Sequence, residues 1–189
     1  APAVIFLDEF ESLTPARGSG ESGAERRIIS TLLAELDGLQ SKSDNAFVLT
    51  IAATNLPWLL DLAILSRFQK RILVPLPDEA ARKAILNIQL ARRGFTTQLS
   101  EATLIEKTAG FAGREIEQFC IIAINNMIRR SNPQILETAN RGLDEISAYQ
   151  LNIDALNEGD FALASAQVKP VTDKTRLAQF TNWGQEHQE

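Results

Sequence analysis

The sequence is short of cysteine, histidine and long apolar runs, and these shortages narrow the classes of protein it can encode. Cys120 is the single cysteine, so no internal disulfide is possible, and it lies far along the chain from the single histidine, His187. Such a separated pair argues against a metal site. No apolar run reaches the roughly 18 residues that a membrane-spanning helix needs. This composition suits a reducing compartment, and we expect a cytoplasmic protein without a membrane span.

The sequence also lacks an excess of positive charge. Lysine and arginine total 19 against 24 aspartate and glutamate, which gives a formal net charge of -5. Broad nucleic-acid binding needs a clustered cationic surface, so this balance argues against a nucleic-acid partner. A basic pore inside an acidic protein is still compatible with it. Hydrophobic residues make up 44% of the 189 residues, which is enough for a packed core.

Three apolar runs predict buried strands in the first part of the chain. They span residues 3–7, 46–53 and 71–77. Continuous apolar runs, unlike alternating ones, are typical of parallel strands covered on both faces. Between the first two runs, apolar residues recur at helical spacing as far as Leu36, and Gly38 is predicted to end that helix. The pattern therefore predicts a βαβ unit in an α/β fold.

The remainder of the chain is predicted to be helical. The expected helices span residues 81–90, 99–109, 113–130, 134–150, 160–167 and 173–183. Asp78 is the predicted cap of the first of them. The sequence thus predicts an α/β part over residues 1–77, a helical part over residues 78–167, and a terminal helix and tail over residues 168–189. Phe180 is expected, with Trp183, to anchor the terminal helix against the α/β part.

Two adjacent carboxylates, Asp8 and Glu9, follow the first predicted strand. They lie at the carboxyl edge of the sheet, where ligands bind in open α/β folds. Neighbouring side chains point to different sides, so the first can hold magnesium through its water shell. The second can polarise a water for attack on phosphorus. An acidic surface turn would show the same two residues, so the pair alone leaves both interpretations open.

Two further polar residues follow in a matching order. Asn55 comes after the second predicted strand, where its amide can orient a water by donating and accepting hydrogen bonds. Arg67 lies on a short element from which it can reach a phosphate in a neighbouring subunit. Such an arginine finger is worth about 10³–10⁵ in rate where it has been measured. Taken singly, the asparagine fits a turn and the arginine fits a solvated surface, so the combination carries the signal.

The acidic pair, the amide and the arginine, in this order, resemble the second half of an AAA ATPase module. The motifs that share this resemblance are Glu25-Arg26-Arg27, Leu36-Asp37-Gly38, Ala53-Thr54-Asn55, Leu60-Asp61, Arg67-Phe68, Pro75-Leu76-Pro77-Asp78 and Ala81-Arg82. Asn55-Leu56-Pro57-Trp58 is similar to the subgroup of katanin, spastin, fidgetin and the ESCRT-disassembling ATPase. The resemblance covers most of residues 1–130 and, more loosely, residues 158–184.

The resemblance implies a role for each position. Asp8 and Glu9 stand at the Walker B pair, Asn55 at sensor 1, and Arg67 at an arginine finger that acts on the next subunit's ATP. The implied fold is the carboxyl-terminal half of a P-loop AAA+ parallel-sheet domain, followed by a helical lid and a terminal helix. ATP and magnesium are the implied cofactors. A homohexamer that threads and remodels protein substrates is the implied assembly.

The resemblance also assigns the helical part and one loop. Gly113 stands at the start of the lid helix that approaches the nucleotide. Arg114 stands where sensor 2 of the wider AAA+ class touches the γ-phosphate, or else it faces solvent. The second pore loop would comprise Arg17, Gly18, Ser19, Gly20, Glu21 and Ser22.

The sequence departs from the family pattern in three respects. The phosphate-binding Gly-rich loop with its lysine appears nowhere in the chain, and neither does the aromatic first pore loop. One arginine, Arg67, precedes Phe68, where the subgroup commonly has more. We therefore expect the chain to be a piece of a longer protein and to bind ATP poorly by itself. A catalytically incomplete AAA-like interaction module and a DNA-directed AAA+ ATPase stay open as alternatives.

Overall fold

The computed structural model describes most of the chain in five stretches, which are residues 2–13, 23–41, 48–141, 147–170 and 173–187. The chain divides into two compact units. An α/β unit comprises Ala1–Leu73 together with Thr175–Glu189, and a helical unit comprises Val74–Lys174. The boundaries predicted from the sequence, at residues 77 and 167, stay a proposal about domains.

The α/β unit is built on two parallel strands, β1 (Ala3–Leu7) and β2 (Val48–Ala52), with helix α1 (Gly23–Ser41) between them in sequence. Ala3 pairs with Val48 at one end of the ladder and Leu7 with Ala52 at the other. The prediction of a parallel βαβ arrangement is confirmed.

Two predictions about this unit need correction. Helix α1 continues past Gly38 to Ser41, so the predicted stop is wrong. A glycine costs a helix interior only about 1 kcal/mol relative to alanine, which the rest of the helix can offset. The strands were expected to be covered on both faces, yet Val4 and Phe6 are 66% and 61% exposed, because no described residues pack over them.

The third predicted strand, over residues 71–77, is also wrong. The chain there has no regular secondary structure and pairs with no strand of the described residues. Pro75 and Pro77 lack the backbone N–H that a ladder needs. Ile72 and Val74 are 72% and 84% exposed, so no side-chain burial compensates for the missing hydrogen bonds.

Short elements complete the α/β unit. They are the 3-10 helices Phe10–Leu13 and Pro57–Leu59 and the four-residue helix α2 (Leu62–Leu65). Asp61 caps α2, because its Oδ1 accepts the N–H of Ile64 at 2.8 Å. These elements follow the carboxyl ends of the two strands, and Glu9, Asn55 and Arg67 lie within two residues of them.

Among the described residues of the helical unit, the main helices are α3 (Glu79–Gln89), α4 (Glu101–Lys107), α5 (Gly113–Ser131), α6 (Ile135–Arg141) and α7 (Glu158–Gln167). Side-chain caps begin three of them. Asp78 accepts from the N–H of Ala81, as predicted, while Ser100 and Asn157 cap α4 and α7.

The core of the helical unit forms around one face of α5. The six residues predicted for that face are all buried, namely Ile116, Phe119, Cys120, Ala123, Ile124 and Met127. The ring of Phe119 stacks on Phe161 of α7 at 5.5 Å and meets Phe111 edge-on at 6.1 Å. Burial raises the pKa of the Cys120 thiol to about 12, so this cysteine behaves as a small apolar residue.

The helix predicted over residues 134–150 is confirmed in part. α6 covers Ile135–Arg141 and residues 147–148 are also helical, whereas residues 149–155 are not. Asn132, at the end of α5, contacts the segment that follows residue 149, because its Oδ1 accepts the N–H of Asn152 at 2.9 Å and its Nδ2 donates to the carbonyl of the same residue at 2.9 Å. Further along the chain, Leu156 forms an isolated parallel bridge with Thr97.

The last helix, α8 (Lys174–His187), belongs mainly to the α/β unit. The ring of Phe180 meets that of Trp58 at 5.1 Å, which agrees with the predicted anchoring role of Phe180. Trp183 stacks on His187 at 4.7 Å, and this histidine is half-buried.

Candidate functional site

The parallel ladder brings two groups of predicted residues to one edge of the sheet. Asp8 and Glu9 directly follow β1, and Asn55 follows β2 by three residues. The ladder extends beyond the strands, because the N–H of Ala53 donates to Leu7 at 2.8 Å and the N–H of Phe10 donates to Ala53 at 2.9 Å. The backbone that carries the acidic pair is therefore tied to the backbone that leads to the amide.

The acidic pair occupies a sharp and strained turn. The φ angle of Glu9 is 47°, and within the described stretches no other residue besides glycine has a positive φ. Such a conformation costs on the order of 1–3 kcal/mol and is typical of functional sites. Asp8 stabilises it in part, since its Oδ1 accepts the N–H of Glu9 at 2.9 Å. Both side chains are exposed, so each carboxylate is accessible to a ligand.

A third carboxylate, Glu11, was not singled out from the sequence. Its Oε1 accepts the N–H of Asn55 at 3.3 Å, and the hydroxyl of Thr54 also donates to this carboxylate. Burial by itself raises the pKa of Glu11, but these hydrogen bonds and one from its own N–H outweigh burial and lower the pKa below its usual 4.5. Because Glu11 and Asn55 are 44 residues apart, no local pattern in the sequence indicates this contact.

Arg67 follows α2 and is held within its own chain. Its Nε and Nη2 donate to the two carboxylate oxygens of Asp37 in α1, at 3.0 and 2.9 Å. Nη1 donates to the carbonyl of Ala63 at 2.8 Å and to the hydroxyl of Ser66 at 3.1 Å. The guanidinium thus presents its planar fork to a carboxylate, and the same fork geometry suits a phosphate.

An aromatic contact joins the turn of the acidic pair to the segment of the arginine. Phe10 has no exposed surface, and its ring meets Phe68 edge-on at 5.5 Å. Phe10 adjoins Glu9, and Phe68 adjoins Arg67. The segments that carry these two predicted catalytic residues are therefore packed against each other.

The other predicted site residues lie elsewhere. Gly113 and Arg114 begin α5 in the helical unit, and Arg114 is exposed. Glu115 closes this helix start, since its Oε2 accepts the N–H of Ala112 at 2.6 Å. The predicted pore loop falls outside the described residues.

The donor groups of the described residues set limits on any metal site. Across these stretches, no three or more histidine, cysteine, aspartate or glutamate side chains come together as a metal site. Mg²⁺ usually takes one or two carboxylates and completes its shell with water and substrate phosphates. The exposed Asp8 therefore fits a magnesium ion that arrives with a nucleotide.

Among the described helices, none is both long and apolar enough to cross a bilayer.

Comparison with known proteins agrees with this arrangement. The family model described as "ATPase family associated with various cellular activities (AAA)" matches residues 1–76. Meiotic spindle formation protein mei-1 of Caenorhabditis elegans is 35% identical over 185 residues, which is 97% of this chain and 38% of that protein. The chain thus spans little more than a third of this curated relative's length.

Solved structures give the same result. The crystal structure of the FIGL-1 AAA domain in complex with ADP superposes with a TM-score of 0.75 at 30% identity, over 98% of this chain and 57% of that one. A structure concerned with katanin self-assembly superposes with a TM-score of 0.70 at 31% identity, over 95% and 57%.

The chain therefore belongs to the AAA family of ATPases, with the α/β fold of an AAA+ domain. Within that family it is similar to the katanin and fidgetin-like subgroup, as its sequence motifs predicted.

Proposed function

We propose that the protein containing this chain is an ATP-hydrolysing AAA machine that works as a hexameric ring. In this proposal the ring remodels or disassembles protein complexes by threading a protein substrate through its pore, at a cytoplasmic location. The main support is that Asp8, Glu9 and Asn55 follow neighbouring parallel strands and meet at one edge of the sheet. Membership of the AAA family and the ADP complex of the FIGL-1 AAA domain support a nucleotide as ligand.

In this proposal, Asp8 and Glu9 have different roles at the phosphate. Glu9, whose φ is positive, accepts the proton of the attacking water. Asp8 holds the water shell of magnesium, which on binding with ATP neutralises charge on the phosphoryl oxygens. Asn55 orients the same water through its amide, which both donates and accepts.

Arg67 acts on the nucleotide of a neighbouring subunit. Its pairing with Asp37 does not prevent this, because the two side chains are 28% and 52% exposed and such pairs contribute only about 0–1 kcal/mol. A phosphate can therefore replace the carboxylate. The katanin structure concerned with self-assembly supports an oligomer in which such an arginine could act across an interface.

The remaining assignments belong to the same proposal. Gly113 starts the lid helix, and Arg114 contacts the γ-phosphate as sensor 2. Residues 17–22 are assigned to the second pore loop.

An alternative is a catalytically incomplete interaction module that completes a ring or binds a partner. One observation favours it, namely that every nitrogen of the Arg67 guanidinium already donates within the chain. In that case the complete protein would assemble without hydrolysing ATP.

Substitution of Glu9 tests the proposal. In the complete protein, Glu9→Gln removes the base but keeps the size of the side chain, so ATP binding persists while turnover falls by about 10²–10⁴. The measurements are steady-state ATPase rates and the nucleotide content of the isolated ring. Glu106→Gln, at an exposed position of α4, is the matched control with unchanged turnover.

Near-normal turnover of Glu9→Gln would exclude Glu9 as the base. Absence of turnover in the unsubstituted, assembled protein would favour the interaction module. Calorimetry of the chain by itself is expected to show no appreciable ATP binding, since the Gly-rich phosphate loop is absent from its sequence. Tight binding would contradict that expectation.

A further inference from the structure

We propose that Glu11 is a positioning residue that holds the sensor 1 asparagine, Asn55, in register with Glu9. This inference depends on the proposed ATPase function. Its basis is a set of hydrogen bonds between two segments that the sequence separates by 44 residues. Glu11 does not touch the reacting atoms in this account but acts through Asn55.

The contacts of Glu11 fall on the backbone of the asparagine and on the residue before it. Its carboxylate accepts the N–H of Asn55 at 3.3 Å and the hydroxyl of Thr54. The Thr54 oxygen in turn accepts the N–H of Leu56 at 3.1 Å. The carboxylate therefore contacts Thr54 and Asn55, and Thr54 links it to the next residue, Leu56.

This ordering matters because Asn55 lies outside the β-ladder. Its side chain is exposed, and beyond Ala53 the loop has no strand partner to fix its backbone. A water held between a base and an amide needs both at defined distances, and misplacement by about 1 Å costs about 100-fold in rate. A charged acceptor such as Glu11 gives stronger hydrogen bonds than a neutral one.

The position of Glu11 is fixed by the element and the neighbouring residue that carry it. It lies in the first turn of the 3-10 helix Phe10–Leu13, two residues after Glu9. The preceding residue, Phe10, is fully buried, and its N–H donates to Ala53 at 2.9 Å. Movement of the acidic turn would therefore move Glu11, and with it the Asn55 loop.

The test is a double-mutant cycle in the complete, assembled protein. We expect Glu11→Ala to lower kcat by about 10- to 100-fold while the KM for ATP changes by less than about twofold, because geometry at the water is lost and binding is not. In an Asn55→Ala background, Glu11→Ala should lower kcat no further. Glu11→Gln, which keeps one acceptor oxygen, should recover part of the rate.

Two results would overturn the inference. One is near-normal kcat for Glu11→Ala, and the other is an equal loss with and without Asn55. If Glu11→Ala does not fold, Thr54→Val removes the hydroxyl partner with little change of shape, and it must lower kcat without changing KM. A protein in which Glu9→Gln abolishes turnover but Glu11→Ala does not would retain the proposed function and lose this inference alone.

Discussion

The two units of the molecule differ in what holds them in shape. In the helical unit, Phe119, Met127 and Phe161 have no exposed surface, and they belong to one continuous core. In the α/β unit, Val4 and Phe6 of β1 are mostly exposed, and the strands are joined by their backbone ladder. Substitutions in the helical unit should therefore change stability, whereas substitutions at the strand ends should change chemistry.

The largest effect on folding is expected from Phe119→Ala. This ring lies between two other aromatic rings in the core of the helical unit. Its removal should lower the free energy of unfolding by about 3–5 kcal/mol, measured by denaturant titration. Ile121→Ala on the exposed side of α5, where the side chain is 41% exposed, should change it by less than about 0.5 kcal/mol. Equal losses would show that the core is not where we place it.

A smaller effect on stability is expected where Gly184 of α8 lies close to Leu73 in the α/β unit. A Cβ on Gly184 would lie 2.8 Å from Cδ2 of Leu73, so Gly184→Ala should lower the free energy of unfolding by about 1–3 kcal/mol. Gly38→Ala is the matched control, because nothing lies within 4 Å of its added Cβ. That control should stabilise α1 by about 0.4–1 kcal/mol, as seen in thermal unfolding. If both changes stabilise, the close contact of Leu73 with α8 is refuted.

The loss of a helix cap should lower the free energy of unfolding by a still smaller amount. The Ser100 hydroxyl accepts the N–H of Thr103 at 3.2 Å at the start of α4. Ser100→Ala should cost about 1 kcal/mol, while Ser100→Thr, which keeps the hydroxyl, should cost a few tenths. The measurement is again the unfolding free energy. Equal costs for the two variants would show that the hydroxyl does not cap α4.

The smallest expected effect is a pH dependence in the α/β unit. The lowered pKa of Glu11 means that its carboxylate binds protons more weakly in the folded than in the unfolded chain. It therefore adds stability above its usual pKa of 4.5, and that stability is lost as the pH falls through its lower folded value. Glu11→Gln should flatten the acid limb of a stability–pH curve, and an unchanged limb would contradict the assignment.

Local patterns in the sequence predicted the helices and strands more accurately than they predicted the contacts between distant residues. The buried face of α5 follows from a 3.6-residue period, and the cap at Asp78 follows from its position before a helical pattern. Within the helix predicted over residues 134–150, residues 135–141 and 147–148 are helical and residues 149–150 are not. The hydrogen bonds between Asn132 and the backbone of Asn152, just beyond that range, are contacts that no helical period encodes. The third predicted strand, over residues 71–77, does not form. Pro75 and Pro77 have no backbone N–H to donate to a ladder, and apolar side chains cannot replace those hydrogen bonds.

For the candidate site, the sequence by itself determined which groups are present and in what order. Asp8, Glu9, Asn55 and Arg67 were all found by their residue type and their position relative to strands. Tertiary structure alone decided that Glu11 binds the Asn55 loop and that Asp37 binds Arg67. The physical reason is that chain order sets where a strand ends, while hydrogen bonds across 44 or 30 residues depend on where the fold brings those ends.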